Sequence, residues 1–157
     1  MKDENGRRLE GGIRTALAAW CADRAAAKAQ YGPIASWDTS EITSMVGLFY
    51  NQANFNCDIS RWNVSSVTDM DSMFEGATQF DVDLSAWDVA KVTTSVSMFS
   101  GASSFGFTLC GTGWVGSSAT QTSMFSMSSG SISSAPGCGA VDAGNYCSNS
   151  AGTTCTV

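Results

Sequence analysis

Acidic side chains that recur at a fixed spacing are the residues of this chain best suited to binding chemistry. Asp58 and Asp83 each come before an apolar residue of a predicted strand, and Asp38 and Asp88 each follow a tryptophan. Ca²⁺ takes about six to eight oxygen ligands, so carboxylates stacked one above another could bind it. Asn63 interrupts the second series, however, and Asp and Asn at turns commonly accept hydrogen bonds from nearby backbone N–H groups. We therefore predict turn and cap hydrogen bonds at these positions, with calcium binding at Asp58 and Asp83 as the alternative.

Residues that could perform catalysis are scarce. The chain has no histidine, which removes the usual general base and the commonest metal ligand. Lys2, Lys28 and Lys91 lie in polar surroundings without a nucleophile motif, and no Gly-rich loop with a lysine follows a predicted strand. The sequence therefore predicts a non-enzymatic protein with no catalytic residue and no cofactor.

Six cysteines in a chain rich in Gly, Ser and Thr favour an oxidising compartment, because disulfides persist there. A zinc site is the alternative, but the chain has no Cys-x-x-Cys pair and no histidine. The count allows many pairings, and the spacing does not choose between them. Our prediction pairs Cys21 with Cys57, Cys110 with Cys138, and Cys147 with Cys155. The predicted location is extracellular, on a cell surface, or in another oxidising lumenal compartment.

A 25-residue period determines where these side chains lie relative to one another. Trp37, Trp62 and Trp87 mark the period, and Trp114 follows after 27 residues. Phenylalanines return at two further positions: Phe49, Phe74, Phe99, Phe55, Phe80 and Phe105. Solenoids repeat in this way, because each unit buries its apolar face against its neighbours. We therefore predict that these aromatic residues form the repeat core; outward-facing tryptophans that stack on carbohydrate are the alternative.

Each repeat unit contains the patterns of one short helix and one short strand. In the unit 62–86, apolar residues recur at helical spacing over residues 67–77, and Gly76 can end that helix. Apolar and polar residues then alternate over residues 80–84, which is typical of a strand. Stacked units would pair their strands in parallel. The predicted fold class is therefore α/β: a short right-handed leucine-rich-repeat-like solenoid of about three to four coils.

The segments that flank the repeats complete a single predicted domain, residues 1–157. Residues 12–30 show helical spacing with Leu17 and Trp20 on the apolar stripe, and we predict one helix that ends before Gly32 and caps the first unit. A helix that binds a partner or a membrane surface is the alternative. The predicted parts are an N-terminal capping helix and lead-in (1–36), the repeats (37–125), and a Gly/Ser-rich, cysteine-containing tail that forms an irregular, disulfide-rich C-terminal cap (126–157).

Three segments of the repeat carry a family resemblance. Residues 62–70 read WNVSSVTDM, residues 73–77 read MFEGA, and residues 80–85 read FDVDLS. This pattern, present over residues 37–125, resembles the bacterial surface protein repeats often called BspA-like or DUF285. The resemblance implies a fold similar to leucine-rich repeats and a role in adhesion or protein binding, with no shared catalytic residues to carry over. Ser95 departs from the pattern at a position where methionine is expected.

Charge narrows the choice of partner. The chain has a formal net charge of −6, and residues 37–157 hold two basic and ten acidic side chains. This argues against nucleic acid as the partner, because phosphate contacts need Lys and Arg.

No apolar run approaches the ~20 residues that span a bilayer, and the first residues lack the hydrophobic core of a secretion signal. The sequence therefore predicts a protein–protein interaction module of the surface or extracellular recognition type. A structural accessory subunit of a larger assembly, including a membrane-associated one, is the alternative, and carbohydrate or calcium binding is a minor one.

Overall fold

The computed structural model describes residues 12–134, and its longer helices lie at the start of that range. Helix α1 spans Gly12–Ala22 and helix α2 spans Arg24–Tyr31, followed by a 3₁₀ helix at Ile34–Ser36. Further along lie strand β1 (Thr108–Leu109), helix α3 (Thr112–Val115) and strand β2 (Ser131–Ile132). Turns and extended segments make up the rest of the described chain.

Asp23 divides the predicted leading helix into two. Its backbone is extended, with φ −146° and ψ 99°, and its carboxylate accepts hydrogen bonds from the N–H groups of Ala25 and Ala26. An N-cap of this kind satisfies N–H groups that the first turn of a helix leaves unbonded. The prediction of one continuous helix over residues 12–30 is therefore wrong at this point, because the Asp23 side chain starts a new helix.

The two helices pack against the first repeat unit. Their buried residues are Ala16, Leu17, Trp20, Ala27 and Tyr31. The indole of Trp20 meets that of Trp37 edge to face, with 5.8 Å between the ring centroids. The guanidinium of Arg14 donates a hydrogen bond to the backbone carbonyl of Val46 at 2.7 Å. Helices α1 and α2 therefore cover the N-terminal end of the repeats.

Consecutive tight turns replace the helix predicted over residues 67–77. The N–H of Ala77 donates to the carbonyl of Phe74, three residues back rather than four. Ser72 and Gly76 have φ of 54° and 71°, left-handed values that interrupt an α-helix. The same two positions are left-handed in the other units: Gly47 and Asn51, Ser97 and Gly101, and Ser123 and Met127. The predicted helix is wrong because apolar residues three to four apart also suit a row of turns that faces the core.

Alternate N–H groups of these turns cross to the next unit. The N–H groups of Met70, Ser72, Phe74 and Gly76 donate to the carbonyls of Thr94, Val96, Met98 and Ser100 at 2.8–3.0 Å. We call residues 44–51, 69–76, 94–101 and 120–127 the turn ribbons. Each ribbon bonds both within itself and to a neighbour one repeat away, so the sequence period is also a period of backbone hydrogen bonds.

Neighbouring units pair in parallel, but mostly not at the strands that were predicted. Isolated parallel bridges join the first residues of successive ribbons: Ser44, Asp69, Thr94 and Thr120. Strands β1 and β2 also pair in parallel. Residues 80–84 form no strand, and the N–H of Asp81 donates instead to the side-chain Oδ1 of Asn56 at 3.0 Å. The strand predicted there is absent because a side chain has taken the place of a backbone acceptor.

Aromatic rings fill the core in columns, with one ring of each column per unit. Neighbouring rings of the first phenylalanine column lie 5.2–5.5 Å apart: Phe49, Phe74, Phe99 and Phe125. The second column has spacings of 5.9–6.0 Å: Phe55, Phe80 and Phe105. Trp37 stacks on Trp62 at 6.3 Å. The residues predicted to form the repeat core are all at most 4% exposed.

Candidate functional site

The two acidic residues considered as calcium ligands lie in one cleft. Asp58 and Asp83 line it together with Ser60, Arg61 and Val82, and its volume is about 290 Å³. Asp58 and Arg61 are exposed, whereas Val82 and Asp83 are partly buried. The walls therefore carry two carboxylates, one guanidinium and one apolar side chain. Such a cleft can hold a short polar segment that carries positive charge.

Turn hydrogen bonds hold the carboxylates of the cleft in place. The Oδ1 of Asp58 accepts from the N–H of Ser60 at 3.0 Å and from its hydroxyl at 2.7 Å. The bonds from the Ser60 hydroxyl and N–H, with a smaller contribution from the charge of Arg61, hold the pKa of the Asp58 carboxyl below its ordinary value. Asp83 accepts from the N–H of Ser85 at 2.9 Å. Asp58 is therefore ionised at neutral pH and fixed in orientation.

The second acidic series forms turns of the same kind. Asp38 accepts from the N–H and the hydroxyl of Ser40 at 3.1 and 2.6 Å. Asn63 accepts from the N–H and the hydroxyl of Ser65 at 3.1 and 2.7 Å. Asp88 accepts from a backbone N–H two residues later at 3.2 Å. The predicted turn hydrogen bonds are confirmed, and Asn63 shows that the turn needs an oxygen acceptor rather than a charge.

The cleft offers few ligands for a cation. Within residues 12–134, no group of three or more His, Cys, Asp or Glu side chains could hold a metal ion. Asp58 and Asp83 each already accept from a backbone N–H, and Ca²⁺ needs several more oxygens. The geometry therefore favours a turn-forming role for these carboxylates over calcium binding.

The repeated tryptophans face the core. Trp37, Trp62 and Trp87 are each 3% exposed. The Nε1 groups of Trp37, Trp62, Trp87 and Trp114 donate to the backbone carbonyls of Tyr31, Ile34, Ile59 and Leu84 at 2.8–3.3 Å. Stacking on a sugar needs an exposed ring face, so the burial of these indoles removes the carbohydrate platform that was the alternative.

Cys21 and Cys57 are both free thiols in the structure. Cys21 is exposed at the end of α1, and Cys57 is partly buried next to Asp58. Burial raises the pKa of the Cys21 thiol, the charge of Cys57 raises it further, and Arg24 lowers it. The pairing of Cys21 with Cys57 stays a prediction, with the electrostatic influence of Cys57 on the Cys21 thiol as its support.

The other two predicted disulfides fall largely outside the described residues. Cys138, Cys147 and Cys155 all lie in residues 135–157. Cys110 is partly buried in the described part, where its Sγ donates to the carbonyl of Thr108 at 3.0 Å. The pairs of Cys110 with Cys138 and of Cys147 with Cys155 therefore stay predictions.

Asp71 links two units, a role that the sequence analysis missed. Its Oδ1 accepts from the N–H of Val96 at 2.7 Å and from the hydroxyl of Thr94 at 2.5 Å. Asp69 in turn accepts from the N–H of Asp71 at 3.0 Å. The signal was a break in the repeat, because Asp71 stands where the neighbouring units have Val46 and Val96.

Large apolar side chains are exposed at three positions of the described chain. Val46 and Tyr50 lie on the first turn ribbon, with 37% and 50% exposure, and Met127 lies on the last with 79%. Within the described range, no helix has both the length and the apolar character needed to cross a membrane. The exposed apolar surface is therefore concentrated on the first and last ribbons.

Comparison with known proteins identifies the family. Residues 20–135 match the family described as "Mycoplasma protein of unknown function, DUF285". No curated protein and no solved structure matches the chain. The matched range includes all four turn ribbons and the cleft, and it confirms the resemblance carried by the repeat segments. Because the match covers well over half of the residues, the chain belongs to the DUF285 family.

Proposed function

We propose that this chain is a non-enzymatic protein–protein interaction module, built as a short leucine-rich-repeat-like solenoid of about three to four coils. Hydrogen bonds between residues 25 positions apart support the solenoid, as from Thr68 Oγ1 to the carbonyl of Thr43 and from Thr93 Oγ1 to that of Thr68. Solenoids present long faces whose side chains vary independently of the core, which suits recognition. The proposed setting is a cell surface or the extracellular space.

The cleft between Asp58 and Asp83 carries this proposal. Its carboxylates are oriented by turn hydrogen bonds before any partner arrives, so little side-chain entropy is lost on binding. Residues 37–157 hold two basic and ten acidic side chains, and this excess of negative charge would attract a basic partner. Arg61 on the same wall favours a segment in which a Lys or Arg stands beside an acidic or polar residue. The proposed partner is therefore a protein that presents such a segment.

Titration of the ¹⁵N-labelled full chain with a short Lys/Arg-containing peptide, followed by NMR, tests the proposal. The largest changes in chemical shift are expected at the backbone amides of Ser60, Arg61 and Asp83. Added salt should weaken the interaction, because the contact charges are partly exposed. An acidic peptide of the same length serves as the control and should leave these amides unchanged.

Two substitutions separate charge from structure in the cleft. Asp58→Asn and Asp83→Asn keep the oxygen acceptor, and Asn63 already performs this role in an equivalent turn. The double variant should fold like the wild type and bind the basic peptide about tenfold or more weakly. Asp88→Asn changes a carboxylate outside the cleft and should bind normally. Equal binding by all three proteins would show that the cleft is not the contact surface.

One observation favours a structural subunit as a second candidate. Residues 92–134 contain no charged side chain, and Met127 among them is 79% exposed. An uncharged surface with an exposed large apolar residue is more typical of permanent than of reversible contacts. Affinity capture from the native source under mild conditions distinguishes the two candidates. A stoichiometric large complex supports the subunit, and a monomer supports the recognition module.

We also propose that the chain works in an oxidising compartment, where Cys21 pairs with Cys57. The electrostatic influence of Cys57 on the Cys21 thiol supports this pairing, because such an influence weakens with distance. Disulfide formation removes two electrons and two protons from the thiols, and an exchanging disulfide such as glutathione disulfide accepts them. Alkylation of the native protein followed by mass measurement counts the free thiols. At least two disulfides are expected, and six free thiols would contradict the proposed compartment.

A further inference from the structure

Backbone hydrogen bonds between the turn ribbons run in one direction. The donors lie in the earlier ribbon and the acceptors in the later one. The N–H groups of Ser95, Ser97, Phe99 and Gly101 donate to the carbonyls of Thr120, Thr122, Met124 and Ser126 at 2.7–3.0 Å. Thr120, the first residue of the last ribbon, is an exception, because its N–H donates back to the carbonyl of Thr93 at 3.0 Å. After its first residue, each ribbon turns carbonyl groups toward the preceding unit and N–H groups toward the following one.

The last ribbon, 120–127, has no described neighbour to receive its N–H groups. Its internal turns are complete, with the N–H of Ser126 on the carbonyl of Ser123 at 3.1 Å. Four alternate N–H groups have no hydrogen-bond acceptor within residues 12–134: those of Gln121, Ser123, Phe125 and Met127. We call these four residues the forward edge. Unpaired donors in a row form a template for another segment of chain.

Apolar surface accompanies these unpaired donors. The ring of Phe125 stacks on that of Phe99 at 5.5 Å with an interplanar angle of 4°. Phe99 is fully buried, whereas Phe125 is partly exposed and Met127 is 79% exposed. Residues 92–134 contain no charged side chain, although natural proteins commonly place charges on an open edge to prevent pairing. The forward edge therefore lacks the protection expected of a surface that stays open.

The opposite end of the repeats shows how such an edge is covered. The carbonyl of Asp71 accepts from the N–H of Gly47 in the preceding ribbon at 2.9 Å. Val46 is the corresponding residue of the first ribbon, and its carbonyl accepts from the guanidinium of Arg14 at 2.7 Å. Helix α1 thus supplies a donor where a preceding unit is missing. The forward edge requires the reverse, a segment that supplies acceptors.

The direction of these hydrogen bonds decides which chain segment can bind at the forward edge. Two copies related by a two-fold axis would bring the forward edges together with N–H groups facing N–H groups. A head-to-tail copy would need the carbonyl edge of the first ribbon, where the Val46 carbonyl already accepts from the guanidinium of Arg14. A segment with free backbone carbonyls is therefore favoured over a second copy. Residues 135–157 follow the described chain directly, and one 25-residue period beyond the forward edge falls within them.

We propose that the forward edge is the docking site for the chain's own residues 135–157, which present backbone carbonyls to its N–H groups and cover the ring of Phe125. These residues include one charged side chain, Asp142, and one proline, Pro136, so most of them suit an uncharged edge that needs backbone acceptors. Because the segment is tethered, its effective concentration at the edge is on the order of millimolar, which a separate partner rarely reaches. The docking is independent of the proposed recognition cleft.

Amide hydrogen exchange in the full chain, measured by NMR, is the first test. The N–H groups of Ser123 and Phe125 should exchange within about tenfold of Ser97 and Phe99, their paired counterparts one unit earlier. Nuclear Overhauser contacts should join residues 135–157 to the ring of Phe125. Rapid exchange of the Ser123 and Phe125 amides, or the absence of these contacts, would by itself overturn the proposal.

A chain with a protease recognition sequence inserted between Ser134 and Ala135 supplies the matched comparison. Cutting the folded protein, reducing the predicted Cys110–Cys138 disulfide and removing the released segment should speed exchange at Ser123 and Phe125 about tenfold or more relative to uncut protein in the same reductant, while Ser97 stays unchanged. Unchanged exchange at Ser123 would mean that another segment covers the edge. If the amides of Ser123 and Phe125 lose their protection when the protein is diluted, and sedimentation shows a dimer, then a second copy of the chain covers the forward edge. Either result would overturn the proposal.

Discussion

The indole Nε1 of Trp62 donates to the backbone carbonyl of Ile34 at 2.8 Å, 28 residues earlier in the chain. The bond satisfies a buried donor and ties one unit to the chain before it. Trp20 is almost equally buried, at 6% exposure, yet its Nε1 has no acceptor within residues 12–134. Two buried indoles of the same protein thus differ in whether their N–H is paired.

Trp62 and Trp20 together provide a matched test of how much the indole hydrogen bond contributes to stability. Trp62→Phe should lower the free energy of unfolding by about 1–3 kcal/mol more than Trp20→Phe, because only the first change leaves a buried carbonyl without its donor. Urea unfolding of both variants and the wild type measures the difference. Equal losses of stability would mean that ring packing, and not the hydrogen bond, determines the contribution of Trp62.

Gly111 lies too close to the backbone of Ser85 to carry a side chain. A Cβ at this position would overlap the carbonyl oxygen of Ser85. Gly111→Ala should therefore destabilise the fold by about 3 kcal/mol, since the obstacle is backbone that cannot rotate away. Gly116→Ala is the control, because its Cβ would lie 3.3 Å from the carbonyl oxygen of Thr112 and should cost less than about 1 kcal/mol. Thermal unfolding compares the two, and similar melting temperatures would refute the close approach.

Ser97 occupies a left-handed backbone position, with φ of 55°. This conformation costs a non-glycine residue about 1–2 kcal/mol, whereas glycine adopts it freely and loses about 0.5–1 kcal/mol through unfolded-state entropy. Ser97→Gly should therefore raise the free energy of unfolding by about 0.5 kcal/mol. Ser100→Gly, in the same ribbon but without a positive φ, should lower it. Chemical denaturation should give opposite signs for the two variants, and a loss of stability in both would contradict the reasoning.

Asp58 should make stability depend on acid pH. Hydrogen bonds from Ser60 hold the pKa of its carboxyl below the ordinary value of 3.8 in the folded state. The folded state therefore binds this proton less readily than the unfolded chain, so the stabilisation is present above the ordinary pKa and is lost as pH falls through the lower folded value. Asp58→Asn keeps an acceptor but cannot titrate. Unfolding free energies at about pH 6 and about pH 3 should fall more in the wild type than in the variant, and parallel pH profiles would rule out this contribution.

Calcium should have no effect on stability. The cleft supplies two carboxylates, Asp58 and Asp83, and both already accept turn hydrogen bonds. Adding Ca²⁺ at about 5 mM should leave the melting temperature unchanged, as should the same concentration of Mg²⁺. A rise with Ca²⁺ alone that disappears in the Asp58→Asn, Asp83→Asn double variant would restore the calcium hypothesis.

The period, the core residues and the local turns can all be predicted from the order of the amino acids. An aromatic residue that returns every 25 positions, such as Phe74 after Phe49, can be buried only against its counterpart in the next unit. The turns at Asp58 and Ser60 were equally readable, because both partners of each hydrogen bond lie two residues apart. Such features depend on short spacings or on simple recurrence, and both are visible in the chain.

The path of the chain within each unit depends instead on contacts between units. Apolar residues over 67–77 suit a helix or a row of turns equally well. The turns form, and Ser72 takes a left-handed backbone conformation. In this path the N–H of Met70 donates to the carbonyl of Thr94 in the next unit. The cleft likewise exists because stacking brings Asp83 beside Asp58. Hydrogen bonds between units depend on register in space, and no single unit of the sequence contains that information.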